Sequence, residues 1–109
     1  MAARTELITI ERETRTVRPG GGMSSAWASV GQMWAEASYI GGGEGEVRGA
    51  VRETVRYRFV VWSAATEEIA VTPKDRLIWN GVTYNIREMP RRLAKRIETE
   101  IIAESGVTQ

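Results

Sequence analysis

The stretch Asp75-Arg76-Leu77-Ile78-Trp79-Asn80-Gly81-Val82-Thr83-Tyr84-Asn85-Ile86 decides how this chain folds. Asn80-Gly81 stands between two alternating runs, and a two-residue type I′ turn needs positive φ at both central positions, which asparagine and glycine tolerate best. Folding the runs back about that turn sets Trp79 opposite Val82 and Leu77 opposite Tyr84, with Ile86 further along the same side. One face of the predicted hairpin is therefore apolar and aromatic, and Trp79 and Tyr84 are expected in a core. The other face carries Ile78 and Thr83, then Arg76 and Asn85, a mostly polar surface suited to solvent or a partner chain.

Outward from the hairpin, Thr72-Pro73-Lys74-Asp75 is a turn signal. Residues 52–62 give the clearest strand, with Val55, Tyr57, Phe59 and Val61 on one face and Thr54, Arg56 and Arg58 on the other. Residues 63–70 read as a loop or a short helical turn, after which Ile69 and Val71 are expected to resume strand character. Residues 6–17 read as a strand that stops at Pro19 and Gly20-Gly21-Gly22. Two segments are ambiguous. From Trp27 to Ile40, helical spacing gathers Trp27, Val30 and Trp34, whereas aromatic residues and the internal Gly31 lean toward a strand with a bend or bulge at the glycine. After Met89-Pro90, Leu93, Ile97 and Ile101 fit a helix while Ile97, Thr99 and Ile101 fit a strand. Residues 105–109 are expected to be a frayed tail. Five to seven short strands separated by turn signals predict a mainly all-β chain, a small antiparallel β-barrel or sandwich with at most one short helix, in a single domain over residues 1–109.

Composition excludes more than it suggests. The chain has 109 residues with neither Cys nor His, so disulfides, thiolate chemistry, imidazole-based nucleophile systems and the usual zinc ligand sets are all removed. Carboxylates remain, namely Asp75 and thirteen glutamates, among which Glu11 with Glu13 and Glu98 with Glu100 share a strand face. Such pairs act as acid and base only when burial or like charge shifts a pKa, and a solvated strand face is the ordinary reading. The expectation is thus a protein that is not an enzyme and needs no cofactor. A net charge of +1 gives no bulk attraction to nucleic acid. Thirteen arginines against two lysines suit bidentate contacts at protein interfaces, and they equally suit a GC-rich coding sequence. No apolar run approaches the roughly 20 residues needed to cross a bilayer, and the first residues lack the apolar core of a signal peptide. A cytoplasm-like compartment is expected, with no membrane partner.

Gly41-Gly42-Gly43-Glu44-Gly45-Glu46-Val47-Arg48-Gly49 holds five glycines in nine residues. It lacks the Gly-Lys-Ser/Thr ending of a phosphate-binding loop and the spacing of a dinucleotide fingerprint. Residues 41–49 are expected to be a flexible loop between two strands.

The order and spacing of several pieces give the chain a family resemblance. An opening strand, a Trp-led segment ending in Met33-Trp34-Ala35-Glu36-Ala37, the Gly/Glu segment, Thr54-Val55-Arg56-Tyr57-Arg58, the 75–86 hairpin and a closing strand follow one another. In this arrangement the chain resembles the head-tail joining proteins of tailed bacteriophages, also called head-completion or stopper proteins. The resemblance implies a small β-barrel, with residues 27–40 and 97–104 both as strands. It implies a homo-oligomeric ring that is a structural part of the virion or of a gene transfer agent-like particle, assembled in the bacterial cytoplasm. Implied partners are a portal-side adaptor protein on one side of the ring, a tail-side terminator or tail-tube protein on the other, and double-stranded DNA passing through the lumen without sequence-specific binding. The loop said to reach the ring axis and hold DNA in corresponds to Gly41, Gly42, Gly43, Glu44, Gly45, Glu46, Val47 and Arg48. Candidate interface residues are Arg52, Arg56, Arg58, Arg91 and Arg92, on faces that can offer charge-complementary contacts. The alternative is a small-barrel nucleic-acid-binding protein, in which Arg56 and Arg58 with Tyr57, Trp62 or Tyr84 form a stacking and phosphate platform. Alternation sets Tyr57 on the face opposite those two arginines.

Overall fold

The structure, a computed structural model, describes residues 4–47, 50–94 and 97–106, and from 42 to 53 the course of the backbone alone. The 75–86 hairpin forms in the predicted register. Asn80 and Gly81 both take positive φ, 51° and 75°, and β4 (Arg76–Trp79) pairs with β5 (Val82–Ile86) so that Trp79 faces Val82 and Leu77 faces Tyr84. Leu77, Tyr84 and Ile86 are buried.

Around this hairpin the chain lays down β1 (Glu6–Val17), β2 (Met23–Val47), β3 (Ala50–Trp62), a short helix α1 (Ser63–Ile69), β6 (Arg91–Arg92) and β7 (Glu98–Ser105). All seven strands belong to one antiparallel sheet in the order β3-β2-β1-β4-β5-β7-β6, and an additional pairing of β3 with β7 closes that sheet into a ring. Both ambiguous segments are strands. Residues 27–40 lie within β2, and most of 97–104 lies in β7. The strands are not uniformly short: β1, β2 and β3 run for 12, 25 and 13 residues. β2 can be so long because it changes partner midway, pairing with β1 through Ala35 and with β3 from Glu36 onward. A bulge falls beside Gly31, where Ile10 pairs with Gly31 but Glu11 pairs with Ser29, leaving Val30 as the extra residue.

Alternation sends Ile8, Ile10, Met33, Ala35, Phe59, Val61, Leu77, Ile101 and Ala103 to the inside, where all are buried. α1 lies against the ring, its Ile69 side chain packed on Gly31. A Cβ built there would stand 2.5 Å from Ile69 Cδ1, so a side chain at 31 would have to push the Ile69 side chain aside. The helix ends at Ala70 in the left-handed region, φ 59°, with its N–H donated to the Thr66 carbonyl at 2.8 Å.

Three expectations need correction. Ile69 ends the helix, and Val71 is buried outside any strand; once α1 has filled the space beside Gly31, Val71 reaches the core without sheet pairing. The loop expected over residues 41–49 is largely a two-stranded arm, because backbone pairing continues from Gly41 opposite Arg56 to Val47 opposite Ala50. Cross-strand hydrogen bonds use only backbone groups, so glycine weakens a ladder without forbidding it. Arg48 and Gly49 lie outside the described residues. Finally, Ser105, placed in the frayed tail, pairs with Val55, while 107–109 lie outside the described residues. The molecule extends over 54 × 39 × 23 Å, with a radius of gyration of 15.6 Å, against roughly 13 Å for a compact chain of this length.

Replacing Gly31 by Val should drive the added side chain into Ile69 and lower stability by about 1–3 kcal/mol. Urea unfolding checks this, and the same substitution in an Ile69→Ala background should cost clearly less, since the two positions share one contact.

Candidate functional site

β3 and β7 pair at eight positions, from Val55 with Ser105 to Trp62 with Glu98, and at alternate ones their outward side chains meet. Because Tyr57, Phe59 and Val61 point inward, Arg56, Arg58, Val60 and Trp62 point out. On β7, Thr99, Ile101 and Ala103 point in, which leaves Glu98, Glu100, Ile102 and Glu104 outside. Arg56 therefore faces Glu104 in the register, whereas Arg58, opposite Ile102, reaches diagonally to Glu100. Arg56 Nη2 lies 3.4 Å from Glu104 Oε2, and Arg58 pairs with Glu100. Two flanking arginines join them: Arg91 on β6 lies 3.1 Å from the second Glu100 oxygen, and Arg87 lies 3.8 Å from Glu104. Arg92 turns away and pairs with Glu67 of α1. Of the predicted interface residues, then, Arg56, Arg58 and Arg91 come together on one face and Arg92 does not. Arg52 stands opposite Gly45 in the backbone register of the arm. Arg87 and Glu104 were not singled out by sequence reasoning, and Glu100 only as a strand-face carboxylate beside Glu98. The usable signal was the alternation Glu98-Thr99-Glu100 beside an arginine strand, but only the register aligns them.

The candidate lumenal segment is held at the end of the arm. Gly41, Gly42, Gly43, Glu44, Gly45, Glu46 and Val47 form the outer part of β2, with Ile40 the extra residue at a second irregularity before them. Arg48 lies outside the described residues.

Inside the ring's mouth an aromatic cluster occupies the positions that a nucleic-acid platform would require. Tyr57 lies 4.8 Å from Trp79, 5.7 Å from Tyr39 and 5.9 Å from Tyr84 between ring centroids. Trp79 donates its indole N–H to Glu6 at 3.1 Å. Burial raises the Tyr84 phenol above its ordinary range, with the neighbouring Tyr57 adding to the shift. Tyr57 and Tyr84 thus belong to the interior and do not share a surface with Arg56 and Arg58. Trp62 does share it, but the Arg4 guanidinium lies over its ring at 3.7 Å.

Asp75, the lone aspartate, is a structural clamp. Its carboxylate accepts Arg12 Nε at 2.9 Å, Arg12 Nη2 at 3.0 Å and the Thr72 N–H at 3.0 Å. The same Nη2 also donates to the carbonyls of Ile69 and Ala70, at 3.0 and 3.2 Å. One guanidinium therefore ties β1 to the end of α1 and to the turn before β4. The hydrogen bond to Asp75 raises the Arg12 pKa, outweighing the lowering by burial. The glutamate pairs are likewise engaged with arginine: Glu11 with Arg76, Glu13 with Arg15, Glu98 with Arg4. Among the described residues no group of three or more His, Cys, Asp or Glu could hold a metal ion, and no helix is long and apolar enough to cross a membrane.

Comparison with known proteins bears directly on this geometry. Residues 2–106 match the family model of the phage head completion protein. In fold, the chain is similar to a chain in the virion of a native gene transfer agent particle, with 21% identity, 94% of each chain covered and a TM-score of 0.74. It is also similar to protein SF1141 from Shigella flexneri 2a, with 20% identity, coverage of 95% of this chain and 94% of that one, and a TM-score of 0.66. No curated protein matches by sequence.

Asp75→Ala should leave the Arg12 guanidinium and the Thr72 N–H without their acceptor and lower stability by about 1–3 kcal/mol, read as a shifted urea midpoint. Arg12→Lys should recover little of the native contact, since an ammonium cannot make the two-pronged bond. Tyr84 carries a pH signature. The folded chain keeps its phenol proton where the unfolded chain releases it, so this contribution is intact below about pH 10 and is lost as pH rises through the folded-state value. Unfolding midpoints followed into alkali should fall for the native chain, and Tyr84→Phe should flatten that fall.

Proposed function

Because the chain belongs to the phage head completion protein family, a structural component of the virion particle, we propose that it forms a ring at the head-tail junction and serves as the stopper beneath the portal. In this reading the ring meets a portal-side adaptor on one side and a tail-side terminator or tail-tube protein on the other. Double-stranded DNA passes through its lumen. The observation that carries the reading is the family match, which spans residues 2–106. The likeness to a chain of a gene transfer agent virion agrees with it and extends the range of particles to domesticated ones.

The segment Gly41 to Arg48, of which residues 41–47 form the outer part of β2, is the one proposed to reach toward the axis and help retain packaged DNA. A slender arm projecting from a ring-shaped sheet suits that role. The near-neutral chain suits a conduit too, since every phosphate gripped adds salt-dependent affinity and a ring multiplies it. Glu44 and Glu46 would repel a duplex and Arg48 would attract it. Arg52, Arg56, Arg58, Arg91 and Arg92 are the proposed contact residues toward neighbouring proteins. The role is mechanical, with carboxylates spent on ion pairs, and no reaction is assigned to the chain.

A strain lacking the gene should yield heads filled with DNA and devoid of tails, seen by electron microscopy of purified particles. Normal tailed particles from that strain would contradict the assignment.

A further inference from the structure

The outer face of β3, β7 and β6 holds four guanidiniums over two carboxylates. Glu100 takes Arg58 and Arg91, and Glu104 takes Arg56 and Arg87. Exposure separates the two signs. The Glu100 and Glu104 side chains are 12% and 13% exposed, whereas those of Arg56, Arg87 and Arg91 are 53%, 51% and 73% exposed. The carboxylates lie at the base and the arginine forks stand above them, oriented from beneath. Each guanidinium has five N–H donors, so a carboxylate shared between two arginines leaves donors directed outward. Within this network four positive charges stand against two negative ones, a local surplus of two that the neighbouring Arg4–Glu98 pair leaves unchanged, in a chain whose whole net charge is +1.

We propose that this face docks a protein surface bearing a pair of carboxylates, which would complete the network at four guanidiniums and four carboxylates. The inference rests on the reading of the chain as an assembly component and names the chemistry of the neighbour that the arginines meet. Two observations favour protein over nucleic acid. Trp62, half exposed and covered on one ring face by Arg4, and Ile102 share the face with the arginines. Arginine mixed with aromatic and aliphatic side chains is the composition of a protein interface core, whereas a duplex backbone is gripped by many cations that release its counterions. The part-buried glutamates, moreover, already neutralise half of the charge of these four arginines, and the remaining surplus suits a pair of carboxylates better than the many phosphates of a duplex.

The full-length chain, titrated against a fluorescently labelled oligoglutamate peptide and separately against a labelled short DNA duplex, tests this. Anisotropy should report binding of the peptide that weakens with added salt, a duplex bound no more tightly than the peptide, and R56Q/R91Q binding the peptide about tenfold more weakly. Arg91→Gln alone, at a largely exposed side chain, should show part of that loss with an unchanged melting profile, which separates docking from folding. Tighter binding of the duplex, with the same arginine dependence, would overturn the proposal in favour of a nucleic-acid surface. Unchanged peptide affinity in the variants would overturn it outright. The outcome is separable from the tail phenotype: normal tails in the deletion strain remove the stopper reading and leave an arginine-dependent docking face, while tailless heads with arginine-independent binding remove only this proposal.

Discussion

The pairing of β7 with β3 is the contact on which the rest of the molecule depends. Without it the sheet would be open, with β3 at one edge and β7 near the other, and both would expose unpaired backbone to neighbours. Eight residue pairs close that gap. Closure seals Phe59, Val61, Ile101 and Ala103 inside at almost no exposure, each large side chain contributing roughly 1.5–3 kcal/mol by its burial. The same register, acting on the opposite faces of the same two strands, sets Arg56 and Arg58 beside Glu104 and Glu100. Core and charged surface are thus two sides of one ladder, and a slip by one residue would exchange them.

A second tie acts where the ladder is short. β1 meets β4 over only three residue pairs, and the chain between them contains α1 and a turn. Arg12 spans that gap by binding Asp75, Ile69 and Ala70 together. It holds the helix against Gly31, at the bulge where β1 and β2 lose register. The lone aspartate of the chain is therefore accounted for by architecture, as are the aromatic rings at the mouth.

What could be read from the sequence was local. The Asn80-Gly81 turn fixes its own hairpin because both its φ demands and its pairing lie within a dozen residues, and the alternation of Val55 to Val61 needs no partner to be seen. Residues 27–40 could not be resolved by pattern, since Trp27, Val30 and Trp34 fit a helix until the change of partner at Ala35 and Glu36 makes a single long strand of them. Ile69 and Val71 misled for a similar reason: β-favouring side chains ended up as the last residue of a helix and as the filling of a core gap. The arginine face was half legible. Arg56, Arg58 and Arg91 stand out by type and spacing, but Glu100 and Glu104 meet Arg58 and Arg56 only through a pairing across more than forty residues of chain, and Arg87 joins through Glu104. The glycine-rich segment showed that the region was unusual, not that backbone pairing would carry it out as an arm.

The interior is filled by aliphatic and aromatic side chains, and Asp75 and six glutamates among the described residues pair with arginines, in a chain of the phage head completion family, a structural protein of the virion particle. The proposed ring beneath the portal is tested most directly by negative-stain imaging of the purified chain, alone and mixed with portal complexes. The account predicts rings seated on the portal, stacked on its axis. Portal complexes that remain bare, with the chain monomeric beside them, would contradict it.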